Sequence, residues 1–216
     1  MLRPKIIVAG YGSWAKASEN PAEAIAMRMG TLDWAKCEVV PHMMPVRSDT
    51  LVDNISDLLD THRPDAWIGI GVSSQALLQA ETVGINWCDF DVPDAAGLTL
   101  NNTQIAPGGT AAYEASLPNA EIVEALIEAG IPAAVSYHAG THLCNHMLYS
   151  TARLIEQKKL RTLTGFIHVP RSPANILEHP AHLRKPSMNL KTMYRAMELC
   201  INTTTRFIQD RRIKTA

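Results

Sequence analysis

Apolar positions recur along this chain in two alternating rhythms, continuous runs of five to seven residues and longer stretches with helical spacing. Lys5-Ile6-Ile7-Val8-Ala9-Gly10 is a continuous apolar run ending in glycine, the form of a central parallel strand covered on both faces. After Tyr11-Gly12-Ser13-Trp14 comes Ser18-Glu19-Asn20-Pro21, where Asn20 or Ser18 can cap a helix and Pro21 suits its first position, giving a helix to about residue 29. The pattern then predicts a strand over 38–46, a helix over 53–62 and a third, strongly apolar strand over 66–71, again ending in glycine. This β–α–β order points to an α/β fold with parallel strands. Residues 77–87 read as an extended stretch interrupted by Glu81, and residues 89–109 as a turn-rich segment. An amphipathic helix over 119–129 is closed by Gly130, a short buried strand covers 131–136, another buried strand 163–169, and a long helix 191–212. No repeat or linker divides the chain, so residues 1–216 read as a single domain.

The chemistry concentrates in Val135-Ser136-Tyr137-His138-Ala139-Gly140-Thr141-His142-Leu143-Cys144-Asn145-His146, an apolar run that turns at Ala-Gly. Beyond it Met147, Leu148, Ala152, Leu154 and Ile155 have helical spacing, which puts Cys144 near a helix N-terminus. Unpaired N–H groups and the helix dipole favour negative charge there, lowering a thiol's pKa and preparing a nucleophile.

Composition narrows the partners. A formal charge of −1, with 46% hydrophobic and 19% charged residues, gives no electrostatic argument for nucleic acid or an anionic membrane and points to a small uncharged ligand or a peptide. The N-terminus lacks the apolar region of a signal peptide and no apolar run approaches membrane-spanning length, which predicts a cytoplasmic protein. Cys37, Cys88, Cys144 and Cys200 are scattered without a CxxC pair, as expected of reduced thiols.

A thiolate nucleophile needs a base, and the base needs a group to orient it. His168 interrupts the apolar strand Gly165-Phe166-Ile167-His168-Val169-Pro170 near its carboxyl end, although one such histidine also reads as a hydrogen-bonded core residue. Glu81 is a candidate orienting carboxylate that, taken alone, reads as solvated. Spacing cannot join these three, because such triads assemble in space. Two rival patterns stay open. Gly10-Tyr11-Gly12-Ser13-Trp14-Ala15 matches a dinucleotide fingerprint, with Glu38 as a ribose ligand, but the helix signal at Asn20-Pro21 falls after the loop instead of within it. His138, His142 and His146 would line one face of a continuous helix as metal ligands, but Ala139-Gly140 argues against that helix.

With these segments placed, the chain resembles the pyroglutamyl peptidase (pyrrolidone-carboxylate peptidase) family of cysteine peptidases along nearly its whole length. The blocks that carry the resemblance are residues 136–146 around Cys144, residues 165–170 around His168, and Glu81-Thr82-Val83-Gly84-Ile85-Asn86. Val92-Pro93-Asp94, residues 107–113, Leu117-Pro118 and the opening Gly10-Tyr11 with Asn20-Pro21 correspond as well. The resemblance implies a three-layer α/β/α sandwich with a mixed, mostly parallel sheet, of the phosphorylase/hydrolase-like kind, and a homotetramer. It implies removal of N-terminal pyroglutamate from peptides without metal or organic cofactor. Cys144 would be the nucleophile, His168 the general base and then acid, and Glu81 the orienting carboxylate. Tyr11 and Trp14 would line the site of the lactam ring, Asn20 would match a pocket asparagine, and the loop at Gly71-Val72-Ser73 would offer backbone groups to the lactam.

Against that pattern, Tyr11, Trp14 and Ala15 stand where relatives usually carry phenylalanines and a glycine-rich continuation, and His142 replaces an aromatic residue in the substrate site. Asp91 stands where relatives often carry arginine, and residues 72–75 lack the usual glycines. The triad positions are unaffected. The same triad acting on, or merely binding, a different lactam or amide is therefore the second reading, and a nucleotide-binding oxidoreductase the third.

Overall fold

In the computed structural model, residues 3–13, 19–178 and 180–214 are described. Its frame is a six-stranded sheet of β1 (Lys5–Tyr11), β2 (Glu38–Met44), β3 (Ala66–Val72), β4 (Leu78–Glu81), β7 (Ala133–Ser136) and β8 (Leu163–Val169), in the order β2-β1-β3-β8-β4-β7. Strands β1, β2, β3 and β8 run parallel; β4 is antiparallel to β8, and β7 is parallel to β4. A separate two-stranded ribbon pairs β5 (Val83–Ile85) with β6 (Ala112–Glu114).

Strands β1, β3 and β8 are nearly wholly buried, so both of their side-chain rows are apolar and each row feeds a different core. Ile6, Val8, Ile68, Ile70, Ile167 and Val169 pack with α1 (Pro21–Gly30), α3 (Asn119–Glu128) and α6 (Leu190–Lys214). On the other face Ile7, Ala9, Tyr11, Trp67 and Phe166 pack with α2 (Ser48–His62) and α4 (Leu143–Gln157). The result is the three-layer arrangement, helices on both faces of a mixed, mostly parallel sheet. A short helix, α5 (Pro173–Glu178), follows β8.

Local signals set several of these boundaries. Asn20 caps α1, its Oδ1 accepting from the Ala22 N–H at 2.9 Å, and Pro21 occupies the first turn. A Cβ on Gly10 would lie 2.1 Å from the Ala22 carbonyl oxygen, so only glycine lets that first turn rest on β1.

Three expectations need correction. Helix α2 begins at Ser48, five residues before the apolar periodicity, because Asp94 from a distant loop caps it. Its Oδ2 accepts from both the N–H and the hydroxyl of Ser48, at 2.8 and 2.7 Å. The strand expected to be buried over 131–136 is the half-buried edge strand β7, with only β4 beside it. The extended stretch at 77–87 is two strands in two sheets, β4 and β5, and the change of sheet follows directly after Glu81.

Candidate active site

The register of the sheet brings the chemistry onto one face. Glu81 lies opposite Phe166 and Gly71 opposite His168, and cross-strand partners project to the same side. Gly69, Gly71, Phe166, His168 and Glu81 therefore share the face covered by α4. His168 Nδ1 and Glu81 Oε1 are 2.7 Å apart in a buried pair, with Glu81 0% exposed instead of solvated. Asn119 Nδ2 donates to the Glu81 backbone carbonyl at 3.1 Å, and the edge of Phe166 meets the imidazole at 5.0 Å between ring centres.

Cys144 is the second residue of α4, and its side chain lies beside the His168 imidazole, near enough to raise the pKa of the ring. With Nδ1 given to Glu81, the nitrogen left for the thiol is Nε2. Gly140 takes φ +80° in the turn before the helix, and His142 stands at the N-cap in extended conformation. The first α-helical bond reaching back to the cap is His146 N–H to the His142 carbonyl, so the N–H groups of Leu143, Cys144 and Asn145 belong to the turn with no intrahelical acceptor. A Cβ on Gly71 would lie 2.7 Å from Cys144 Sγ and 2.8 Å from Phe166 Cζ; the bare backbone of β3 is the floor under the sulfur.

Burial alone would push the His168 imidazole down, but the Cys144 thiolate and the Glu81 carboxylate both favour the imidazolium, and its pKa is raised to about 10. The arrangement thus favours the charged form of the imidazole beside Cys144. Replacing Glu81 with Gln removes one of the two anions while leaving the burial in place. The His168 pKa is expected to fall by roughly 1–3 units in Glu81→Gln, read from a proton NMR titration of its ring resonance. An unchanged titration would mean that Glu81 does not control the base.

The remaining thiols differ from Cys144. Cys37, Cys88 and Cys200 are buried, Cys144 only partly so, and burial pushes Cys88 and Cys200 up to about 12.

The residues expected around a lactam ring have distinct placements. Tyr11 ends β1, is 5% exposed, and donates its hydroxyl to the Leu143 carbonyl at 2.7 Å. Trp14 lies outside the described residues. Asn20, besides capping α1, donates from Nδ2 to the Gly12 carbonyl at 2.8 Å and so holds the loop after β1. Val72 is half-buried at the end of β3 beside Val169, and the next N–H, of Ser73, bonds the Val169 carbonyl. His142 stacks on Phe90 with ring centres 4.1 Å apart, and its Nε2–H donates to the Val92 carbonyl at 3.0 Å. That contact ties the 90–92 loop, which carries Asp91, to the start of α4.

Asn145 had no place in the sequence reading. Fully buried, it accepts from the Ile85 N–H at 2.8 Å and donates to the carbonyls of Ile85 and Trp87 at 2.9 Å each, clamping the end of β5 to the turn that carries Cys144. An asparagine on the buried face of an apolar helix was the available signal; its partners lie 60 and 58 residues away.

The rival patterns resolve differently. The helix after the first loop starts at Pro21, beyond Gly12 and Ser13, and Glu38 pairs with Lys5 at 3.3 Å. His138 precedes the Gly140 turn while His142 and His146 follow it, and among the described residues no group of three or more His, Cys, Asp or Glu side chains is placed to hold a metal ion. No helix among the described residues is long and apolar enough to cross a membrane.

A family model for pyroglutamyl peptidase matches residues 4–207. The pyrrolidone-carboxylate peptidase of Bacillus subtilis is 30% identical over 210 residues, covering 97% of this chain and 96% of that one. Pyrrolidone-carboxylate peptidase 1 of Ralstonia nicotianae is 33% identical over 208 residues, covering 96% and 95%. Among solved structures, pyrrolidone carboxyl peptidase from Thermococcus litoralis superposes with a TM-score of 0.90 at 28% identity, covering 96% of each chain. With a family model spanning nearly its whole length and relatives matched from end to end, this chain belongs to the pyroglutamyl peptidase family of cysteine peptidases.

Proposed function

We propose that this chain removes N-terminal pyroglutamate from peptides, with Cys144 as nucleophile, His168 as base and acid, and Glu81 as the carboxylate that orients the imidazole. The observation that carries the roles is the buried Glu81–His168 pair at 2.7 Å, with the second ring nitrogen left to Cys144 at the start of α4.

The Cys144 thiolate attacks the carbonyl carbon that links the lactam ring to the next residue. A C–S bond forms and the carbonyl π electrons move onto oxygen, where the N–H groups of the first turn of α4 are the available donors. The tetrahedral intermediate collapses, the C–N bond breaks, and the His168 imidazolium gives its Nε2 proton to the departing amine. The neutral imidazole then takes a proton from water, the resulting hydroxide attacks the thioester, and pyroglutamate leaves as the C–S bond breaks. The thiolate–imidazolium pair is restored.

Glu81 keeps its negative charge throughout and holds the proton on Nδ1, so that Nε2 alone exchanges protons with the reactants. A pyroglutamyl substrate has no free α-amine, so recognition needs a flat apolar slot with a few hydrogen bonds to the lactam instead of an acidic side chain. The reading takes residues 1–216 as one catalytic domain. It extends to a homotetramer in the cytoplasm, where Cys37, Cys88, Cys144 and Cys200 stay reduced.

The test is hydrolysis of a pyroglutamyl-linked fluorogenic amide beside its prolyl and alanyl counterparts, with and without iodoacetamide. Release from the pyroglutamyl amide alone, abolished by alkylation at Cys144, is the expected result. Equal release from prolyl amide would remove the lactam specificity, and release insensitive to alkylation would remove the thiol mechanism.

A further inference from the structure

We propose that Tyr11 is a positioning residue for acylation, its hydroxyl polarising and aiming the peptide unit that presents the Cys144 N–H to the developing oxyanion. The proposal rests on the reading of Cys144 as nucleophile and assigns Tyr11 a task different from that of a wall for the lactam ring.

The bond in question is the 2.7 Å contact from the Tyr11 hydroxyl to the Leu143 carbonyl. Leu143 is the first residue of α4 and Cys144 the second, so that carbonyl and the Cys144 N–H are the two ends of one planar peptide unit. A donor on the carbonyl oxygen draws amide electron density towards oxygen and leaves the N–H more positive. Coupled hydrogen bonds strengthen one another in this way by roughly 10–30%. The same bond fixes the plane of the peptide. Its carbonyl already points along the helix axis, and the phenol adds a second tether from outside the helix, which hinders rotation of the N–H away from the reacting carbon.

The tether comes from a rigid place. Tyr11 is the last residue of β1, paired with Met44 of β2, and the following N–H, of Gly12, bonds the Met44 carbonyl at 2.9 Å. The ring is buried in the cluster that contains Ala139 and Leu143, on both sides of the Gly140 turn. A side chain 5% exposed, with its polar end spent on backbone, has little surface left to offer a ligand. Burial and the neighbouring Cys144 raise the phenol's pKa well above its ordinary value, so it remains a donor beside a thiolate. Phenylalanine would fill the same space without the bond.

The experiment compares wild type, Tyr11→Phe, and protein carrying 3-fluorotyrosine at position 11, a stronger donor, at a pH where the phenol is protonated. Steady-state hydrolysis of a pyroglutamyl anilide gives kcat and KM. Inhibition is measured with two ligands, the aldehyde analogue of pyroglutamate, which forms a tetrahedral hemithioacetal with Cys144, and 2-pyrrolidinone, which carries the ring alone.

In Tyr11→Phe, kcat is expected to fall roughly three- to tenfold, less than the 10²–10³ lost with a direct oxyanion donor because Tyr11 acts through one peptide. KM and 2-pyrrolidinone binding stay unchanged, the aldehyde weakens by the same factor as kcat, and fluorotyrosine gives a kcat above wild type. Equal kcat in wild type and Tyr11→Phe would overturn the proposal. So would a raised KM with weakened 2-pyrrolidinone, which would make Tyr11 a wall of the ring site, or a kcat indifferent to phenol acidity. A wild-type protein that hydrolyses none of the pyroglutamyl amides and binds neither ligand would instead overturn the functional reading itself, and this proposal with it.

Discussion

Cys144→Ser is expected to lower kcat/KM for a pyroglutamyl amide by about 10⁴-fold or more, the scale on which removal of a nucleophile acts in triad enzymes. Position 144 faces a charged imidazole, the partner of an anion that a thiol forms far more readily than a hydroxyl. The side chain sits in the first turn of α4, beside an imidazole whose pKa is raised to about 10. Serine brings an oxygen too weakly acidic to give up its proton to that pair in the resting state, so the ion pair is lost along with the sulfur. The fold has no stake in the exchange. Cys144 is partly exposed, whereas the buried Cys37, Cys88 and Cys200 are core residues. The check combines rates with circular dichroism and with mass spectrometry after brief iodoacetamide treatment. A single adduct at Cys144 in the wild type, and none in the variant, would match the lost activity. A serine variant that kept the wild-type rate would remove Cys144 from the reaction.

Gly71→Ala is expected to cost about 10²-fold in kcat/KM, through displacement and not removal, since an error of about 1 Å in reacting geometry has that effect. The added methyl would lie 2.7 Å from Cys144 Sγ, with Phe166 Cζ at 2.8 Å and Cε1 at 3.0 Å. Phe166 is fully buried and edges against His168, and Cys144, though partly exposed, is anchored in the first turn of α4. The sulfur or the imidazole must therefore move, while overpacking destabilises the fold by roughly 1–3 kcal/mol. Slow alkylation of Cys144 alongside slow turnover, with a melting transition still cooperative, is the result that fits. Unchanged activity would show that the β3 backbone is not the floor of the site.

Both variants concern positions of different legibility. Cys144 could be read from its own surroundings, because an Ala-Gly turn before a helical apolar pattern places a residue near a helix start without reference to anything distant. Gly71 was visible as a strand-ending glycine, but nothing nearby in sequence says that it faces a sulfur 73 positions later, a matter of which strand β8 joins. The same division runs through the helices. The start of α1 was written in Asn20-Pro21, a cap and a first-turn proline acting within two residues. The start of α2 was not, because its capping carboxylate is Asp94, 46 residues away.

The sequence by itself determined the α/β class, the buried central strands and the helix start at Cys144, and its blocks resembling a known family picked out Glu81 and His168 as the residues expected to join it. Those features depend on period, turn residues and caps, which act over a few positions of chain. Only the tertiary structure decided that β4 runs antiparallel to β8 and that α4 covers the face bearing Glu81, His168 and Gly71. It also joined Asn145 to the end of β5 and brought the Tyr11 hydroxyl to the peptide before Cys144. The physical reason is that hydrogen bonding and burial depend on distance in space. The Glu81–His168 bond spans 87 residues and the Tyr11–Leu143 bond 132, separations closed only when the sheet has chosen its strand order.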